Sequence, residues 1–159
     1  MKLNQAIITT SLISLNVLLT LTLPLPVQAQ NVKQSSKCAA TLQSVKNKIT
    51  KGRKIKVVSI SKDNISTEYQ NYPKNRSFRY LFVLLGAGAE SVLESSKFLT
   101  SLTQDVVTSC TDVSQVRFGI AETDYNPTFG LISGNKVGAF KCVDPGGNQK
   151  LFWGYVVCI

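Results

Sequence analysis

The chain's apolar and polar positions alternate in three different rhythms. The first is an uncharged, mostly apolar run over residues 6–25, preceded by Lys2 and followed by Val27-Gln28-Ala29. A basic start, an apolar centre and small residues at the −3 and −1 positions make up a secretory signal peptide. Residues 1–29 are therefore expected to be a leader, with Gln30 as the new N-terminus. The run is also nearly long enough to serve as a retained membrane anchor. Pro24 and Pro26 favour cleavage over retention.

The second rhythm is helical. Residues 30–36 read as a polar lead-in, and Ser35 or Ser36 could cap a helix start. Cys38, Leu42, Val45 and Ile49 then recur at i, i+4, i+7 and i+11, one face of a helix that Gly52 would stop. The same spacing returns over 89–109 through Ala89, Val92, Leu93, Ser96, Leu99, Leu102 and Val106.

The third rhythm is that of strands. Residues 54–61 are rich in β-branched side chains, and their alternation slips between Val57 and Val58, as at a bulge or under two-sided burial. Residues 63–75 are polar and read as an ordered loop. The run 78–85 is right for a buried strand, and 113–121 alternates with Val116, Phe118 and Ile120 on one face. Residues 78–121 thus predict strand, helix, strand, joined by a crossover. Further strands are expected at 129–132, 136–143 and 151–158, separated by turn chemistry at 124–127, 133–135 and 144–148. The expected fold is a single α+β domain over 30–159. It has two helices packed on a mainly antiparallel sheet, a C-terminal β-meander and two disulfides. About 130 residues can bury a core of useful size without a metal.

Cysteine usage supports an oxidising compartment, periplasmic or extracellular. Cys38, Cys110, Cys142 and Cys158 are even in number and widely spaced, which suits disulfides rather than zinc. Their pairing depends on the meander. In a regular hairpin about Gly146-Gly147, Cys142 and Cys158 would lie roughly 20 Å apart along the strands. A bridge needs Cα atoms within about 7 Å. The hairpin therefore favours bonding each of these two to Cys38 or Cys110. If Cys142 and Cys158 bond to each other, residues 151–158 must curl instead.

Candidate chemistry is sparse. The chain has no histidine, which removes Ser-His-Asp catalysis, Cys-His catalysis and His-ligated metals. Gly86-Ala87-Gly88-Ala89-Glu90-Ser91 begins a dinucleotide fingerprint but has Ser91 where the third glycine belongs. No nucleotide or other cofactor and no metal is expected; a tight turn and close packing account for the glycines. Glu122 and Asp124 could form a carboxylate pair for glycan hydrolysis, and a pair of acids in a turn is more often simply solvated. Ser133 lacks the context of a nucleophile elbow.

Charge is more informative. The formal net charge is +9, and residues 31–79 carry twelve Lys or Arg against two acids. The densest stretch includes Lys51, Arg53, Lys54 and Lys56, which could attract a polyanion such as an acidic glycan or an envelope surface. Trp153 and Tyr155 are expected on one strand face, opposite Phe152, where exposed rings could stack on sugars. Once the leader is removed, no other apolar stretch is long enough to span a membrane. The expected function is non-catalytic polyanion binding. Alternatives are a carboxylate-dependent glycan hydrolase and a protein-binding structural or inhibitory module.

Part of the chain also resembles a family of small exported cyanobacterial proteins without assigned activity. The resemblance rests on Gly86, Glu90-Ser91-Val92, Ser95, Phe98-Leu99, Cys110, Val116, Phe118-Gly119, Thr123-Asp124-Tyr125, Phe129-Gly130-Leu131, Phe140 and Cys142. It covers about residues 78–142. It implies an exported disulfide domain and offers no catalytic residues. The family favours Trp where this chain has Tyr125.

Overall fold

The computed structural model describes residues 27–144, 146 and 150–158, with side chains from residue 35 onward. The expected leader falls almost wholly on residues 1–26, outside the described residues. Helix α1 runs Val27–Thr50, so the expected cap at Ser35 or Ser36 is absent and Ala29-Gln30 lies in the first turn of the helix. No Gly or Pro interrupts the sequence from Val27 to Lys51, which lets the helix begin earlier. Its far end is where the spacing predicts it: Gly52 takes the left-handed conformation at φ +69°.

Among the described residues, nine strands follow, interleaved with two further helices. They are β1 (Lys56–Asn64), β2 (Tyr69–Gln70), β3 (Phe78–Leu85), α2 (Ala89–Glu94), α3 (Ser96–Ser109), β4 (Val113–Ile120), β5 (Thr128–Ser133), β6 (Lys136–Ala139), β7 (Lys141–Val143), β8 (Leu151–Phe152) and β9 (Tyr155–Val157). The helix expected over 89–109 is broken at Ser95, whose N–H bonds back to the Val92 carbonyl while its own carbonyl starts α3.

The main sheet has the order β1-β3-β4-β5-β6. Only β3 and β4 are parallel, joined by the crossover through α2 and α3; the other neighbours are antiparallel. The slip in β1 is a real irregularity, between Val57 and Ser59. It leaves Val58 exposed on an edge strand. The α+β class, the mainly antiparallel sheet and the two disulfides are as expected.

One sheet face carries the helices. Val45 and Ile49 of α1, Leu99, Leu102 and Val106 of α3, and Phe82, Leu84, Val116, Phe118 and Phe129 of the strands are all buried there. The Phe82 and Phe118 rings stack with centroids 5.6 Å apart, and Phe129 meets Phe118 edge-on at 6.2 Å. Cys38 bonds to Cys110 and pins α1 to the end of α3. Arg76 closes the same end by donating to the carbonyls of Val107 and Val113, each at 2.8 Å.

The opposite face is covered by a strap made from the chain's last turns. Of the meander expected over 129–158, only its first step forms, the antiparallel pair β5 and β6, and the next hairpin does not. The expected strand 136–143 breaks at Phe140, and 151–158 breaks at Gly154, where φ is +94°. Strand β8 pairs parallel with β2, and β9 pairs parallel with β7. Parallel pairing brings Cys142 and Cys158 together, with Cα atoms 4.9 Å apart, and they bond to each other. The pairing favoured by a hairpin is thus overturned, and residues 151–158 curl. Tyr69, Phe140 and Trp153 form a second small core under the strap, with ring centroids 4.8 to 6.1 Å apart. Gly130 makes the approach feasible, because a Cβ there would come within 2.8 Å of both the Phe140 ring and the Ser114 carbonyl.

Two disulfides fit an oxidising, exported environment. Among the described residues, no helix is long and apolar enough to cross a membrane.

The two bonds should differ in strength and in access. Cys38–Cys110 spans 72 residues and Cys142–Cys158 spans 16. By loop entropy, replacing the first pair with Ala should cost about 4 kcal/mol and the second about 3 kcal/mol. Urea unfolding of the two variants measures this. Cys110 is 1% exposed, whereas Cys142 and Cys158 both reach solvent. Limited reductant followed by alkylation and peptide mass mapping should find Cys142 and Cys158 labelled first.

Candidate functional site

The basic run lies where α1 turns into β1, and the structure sorts its members by what they touch. Arg53 folds back on the helix. Its Nη1 donates to the carbonyls of Lys48 and Ile49 at 2.9 and 3.2 Å, and its guanidinium lies 5.1 Å from the Phe98 ring centroid. It therefore satisfies carbonyls that the helix end leaves open. Lys48 pairs with Asp105, and Lys62 pairs with Asp112 while lying over the Phe78 ring. Lys51, Lys54 and Lys56 are exposed and have no ion pair among the described residues. Arg53, Lys54 and Lys56 line one open cleft of about 430 Å³ with Leu85 and Gly86. Lys51 stands outside that lining.

The aromatic candidates separate. The turn at Gly154 sends Trp153 inward and leaves Tyr155 at the surface. The Trp153 ring packs edge-on against Tyr69 and Phe140, and its Nε1 donates to the Leu131 carbonyl. Trp153 is therefore a peg that holds the strap. Tyr155 and Phe152 are both exposed.

The carboxylates are not gathered into a cleft. Glu122 is exposed in a left-handed conformation at φ +64°. Asp124 is exposed too, and only it lines the hollow of about 350 Å³ beside Cys142–Cys158.

A polar stripe crosses the sheet under the strap. The register places Asp63 beside Arg79, Arg79 beside Gln115, and Arg117 beside Thr128. The Arg79 side chain is 12% exposed, with Nη1 2.6 Å from Glu68 and Nε 3.4 Å from Asp63. Burial alone would lower its pKa; the two carboxylates outweigh burial and hold it above the ordinary value. Among the described residues, Arg117 has no carboxylate partner. Burial and then the positive charge of Arg79 push it below the ordinary guanidinium value, and its Nε donates to Thr128 Oγ1 at 3.2 Å. The Tyr69 hydroxyl and the Gln115 amide are buried and close no well-formed hydrogen bond among the described residues. Burial raises the Tyr69 pKa, while nearby Gln115 and the charge of Arg117 work against the rise.

The stripe was missed because it reads as a solvent face. Gln115 and Arg117 alternate with Val116 and Phe118, the pattern of a half-buried strand. The available signal was Tyr69 and Glu68 in the loop 63–75, which could have been matched to that polar face.

The chain matches no protein-family model, no curated protein and no solved structure.

The unpartnered Tyr69 hydroxyl predicts its own experiment. Tyr69→Phe should leave stability unchanged at neutral pH or raise it by about 1 kcal/mol, because an unsatisfied buried hydroxyl is removed. Above pH 10 the unfolded chain ionises tyrosine while the buried phenol stays protonated, so the unfolded state binds fewer protons and stability falls as pH rises. Chemical unfolding from pH 7 to 11 should show the gap between variant and parent widening above pH 10.

Proposed function

We propose that this protein is a non-catalytic binding domain for polyanions, acting in the periplasm or outside the cell. The observation that carries this reading is the set of exposed lysines, Lys51, Lys54 and Lys56, without carboxylate partners among the described residues. An exposed ammonium in water gains little from one neighbour. Several on one turn raise the local potential and concentrate a multivalent anion. The strands and helix that meet at this turn are themselves ordered, so binding need not fold the loop first. Lys54 and Lys56 border a cleft floored by Ile55 and Leu85, which offers apolar surface to the ring faces of an acidic glycan or to an envelope surface.

Retention on immobilised heparin at low salt tests the proposal. Replacing Lys51, Lys54 and Lys56 with Glu should abolish retention. Each lost contact should flatten the dependence of log affinity on log salt by about one unit or less. Arg53 is kept in this variant, because it caps α1 and its loss would confound the result. A parent protein that passes unretained at low salt overturns the reading.

A further inference from the structure

We infer that the cavity between the sheet and the C-terminal strap binds a small organic monocarboxylate, clamped by Arg117. This site is separate from the basic turn and does not rest on the polyanion reading. The cavity holds about 400 Å³, within the usual range for small-molecule sites. Arg117, Tyr69, Asn126 and Thr128 line it together with Leu151 and Val156. It therefore offers a charged fork, hydroxyls and an amide on one part of its wall and aliphatic surface on another.

The state of the polar groups points to a ligand. A half-buried guanidinium is normally satisfied by a carboxylate, as Arg79 is by Glu68 and Asp63. Among the described residues, Arg117 has the Thr128 hydroxyl as its one hydrogen-bond partner of good geometry and pairs with no carboxylate; Arg79 repels it, and the nearby Tyr69 and Glu68 offset that only in part. Beside it, the Tyr69 hydroxyl lines the cavity at 2% exposure and neighbours Gln115 and Arg117, yet closes no hydrogen bond of good geometry among the described residues. Buried polar groups left open cost stability, and such groups collect where a ligand completes them. A planar carboxylate matches the guanidinium fork.

The charge on the wall sets the ligand's valence. Glu68 also lines the cavity, held by Arg79. A dianion such as sulfate would face that carboxylate, whereas a monocarboxylate can bind Arg117 with less repulsion. Lys150 lines the cavity too, with its Nζ on the Ser66 carbonyl at 3.0 Å, which keeps the local balance slightly positive. The aliphatic wall favours an organic acid over an inorganic anion.

Proton–nitrogen NMR of the oxidised chain, titrated with acetate and with glucuronate, tests this. Saturable shifts are expected at the Arg117 side-chain Nε–H and at the backbone amides of residues 67–69 and 128, with none from glucose. Arg117→Lys should weaken binding by about tenfold or more, since the fork is lost while the charge remains. Tyr69→Phe, which should fold at least as well as the parent, should weaken it severalfold, and so separates a lost contact from a lost fold. Absence of saturable shifts with either acid overturns the inference. Sulfate binding at the same residues as tightly as the acids overturns the assignment to a carboxylate. Shifts confined to Lys51, Lys54 and Lys56 overturn this site and leave the polyanion proposal standing.

Discussion

Everything on the strap side of this molecule follows from β4 being buried on both faces. Val116 and Phe118 point into the helix layer, while Gln115 points the other way and is equally inaccessible. A strand of this kind needs a cover on each side. The crossover supplies the first cover, since the parallel pairing of β3 with β4 requires a connection long enough to lay α2 and α3 across the sheet. Among the described residues, no helix is left for the second. Residues 150–158 cover that face with only two short strands. They compensate with three packed aromatic rings, a disulfide and two short parallel pairings.

Why parts of this were legible in the sequence, and others were not, follows from the same asymmetry. The helix side obeys periodicity. Val45 and Ile49 are buried as their spacing implies, β3 has the bounds of its apolar run, and the slip beside Val57 is a real irregularity. Local pattern decides these elements because one face meets a continuous core. The strap side is settled by contacts distant in sequence. Strand β8 exists only because residues 69–70 lie beside it, and β9 only because residues 141–143 do. Gly154 falls inside the strand-like run 151–158, yet its backbone turns the chain between them. The turn chemistry at 144–148 is genuine in composition, but it does not require the flanking segments to pair, and assuming a hairpin misdirected the disulfide pairing. The candidate sites divide in the same way. The basic turn was visible as composition, although only the structure separates Arg53, which caps a helix, from its lysine neighbours. Arg117 was hidden by an alternation that also describes an ordinary solvent-facing strand.

The charged groups show how placement decides their worth. Lys48–Asp105 and Lys62–Asp112 are exposed pairs, each contributing about 1 kcal/mol or less. The Arg79 cluster with Asp63 and Glu68 is held in a drier setting, where losing one partner would leave a charge uncompensated. Arg117 lies two residues along from Gln115 on the same face, with no carboxylate of its own. Along this stripe, therefore, one guanidinium is neutralised by carboxylates and the other keeps a hydroxyl neighbour alone among the described residues.

The exposed edge of the sheet gives the basic turn a second consequence. Among the described residues, strand β1 pairs with β3 alone, so its outer side is an open sheet edge. An identical edge on another molecule is the natural partner for such a strand, and a sheet continued from copy to copy is the hazard. Lys56 and Lys62 lie along that strand, and the irregularity at Val58 interrupts its flatness. Two copies approaching edge to edge would bring like charges together across a kinked seam. Colloidal behaviour and attraction to polyanions thus share one side chain, Lys56. Lys62 is already paired with Asp112, so masking Lys56, whether by mutation or by a bound polymer, would weaken the charge that guards this edge.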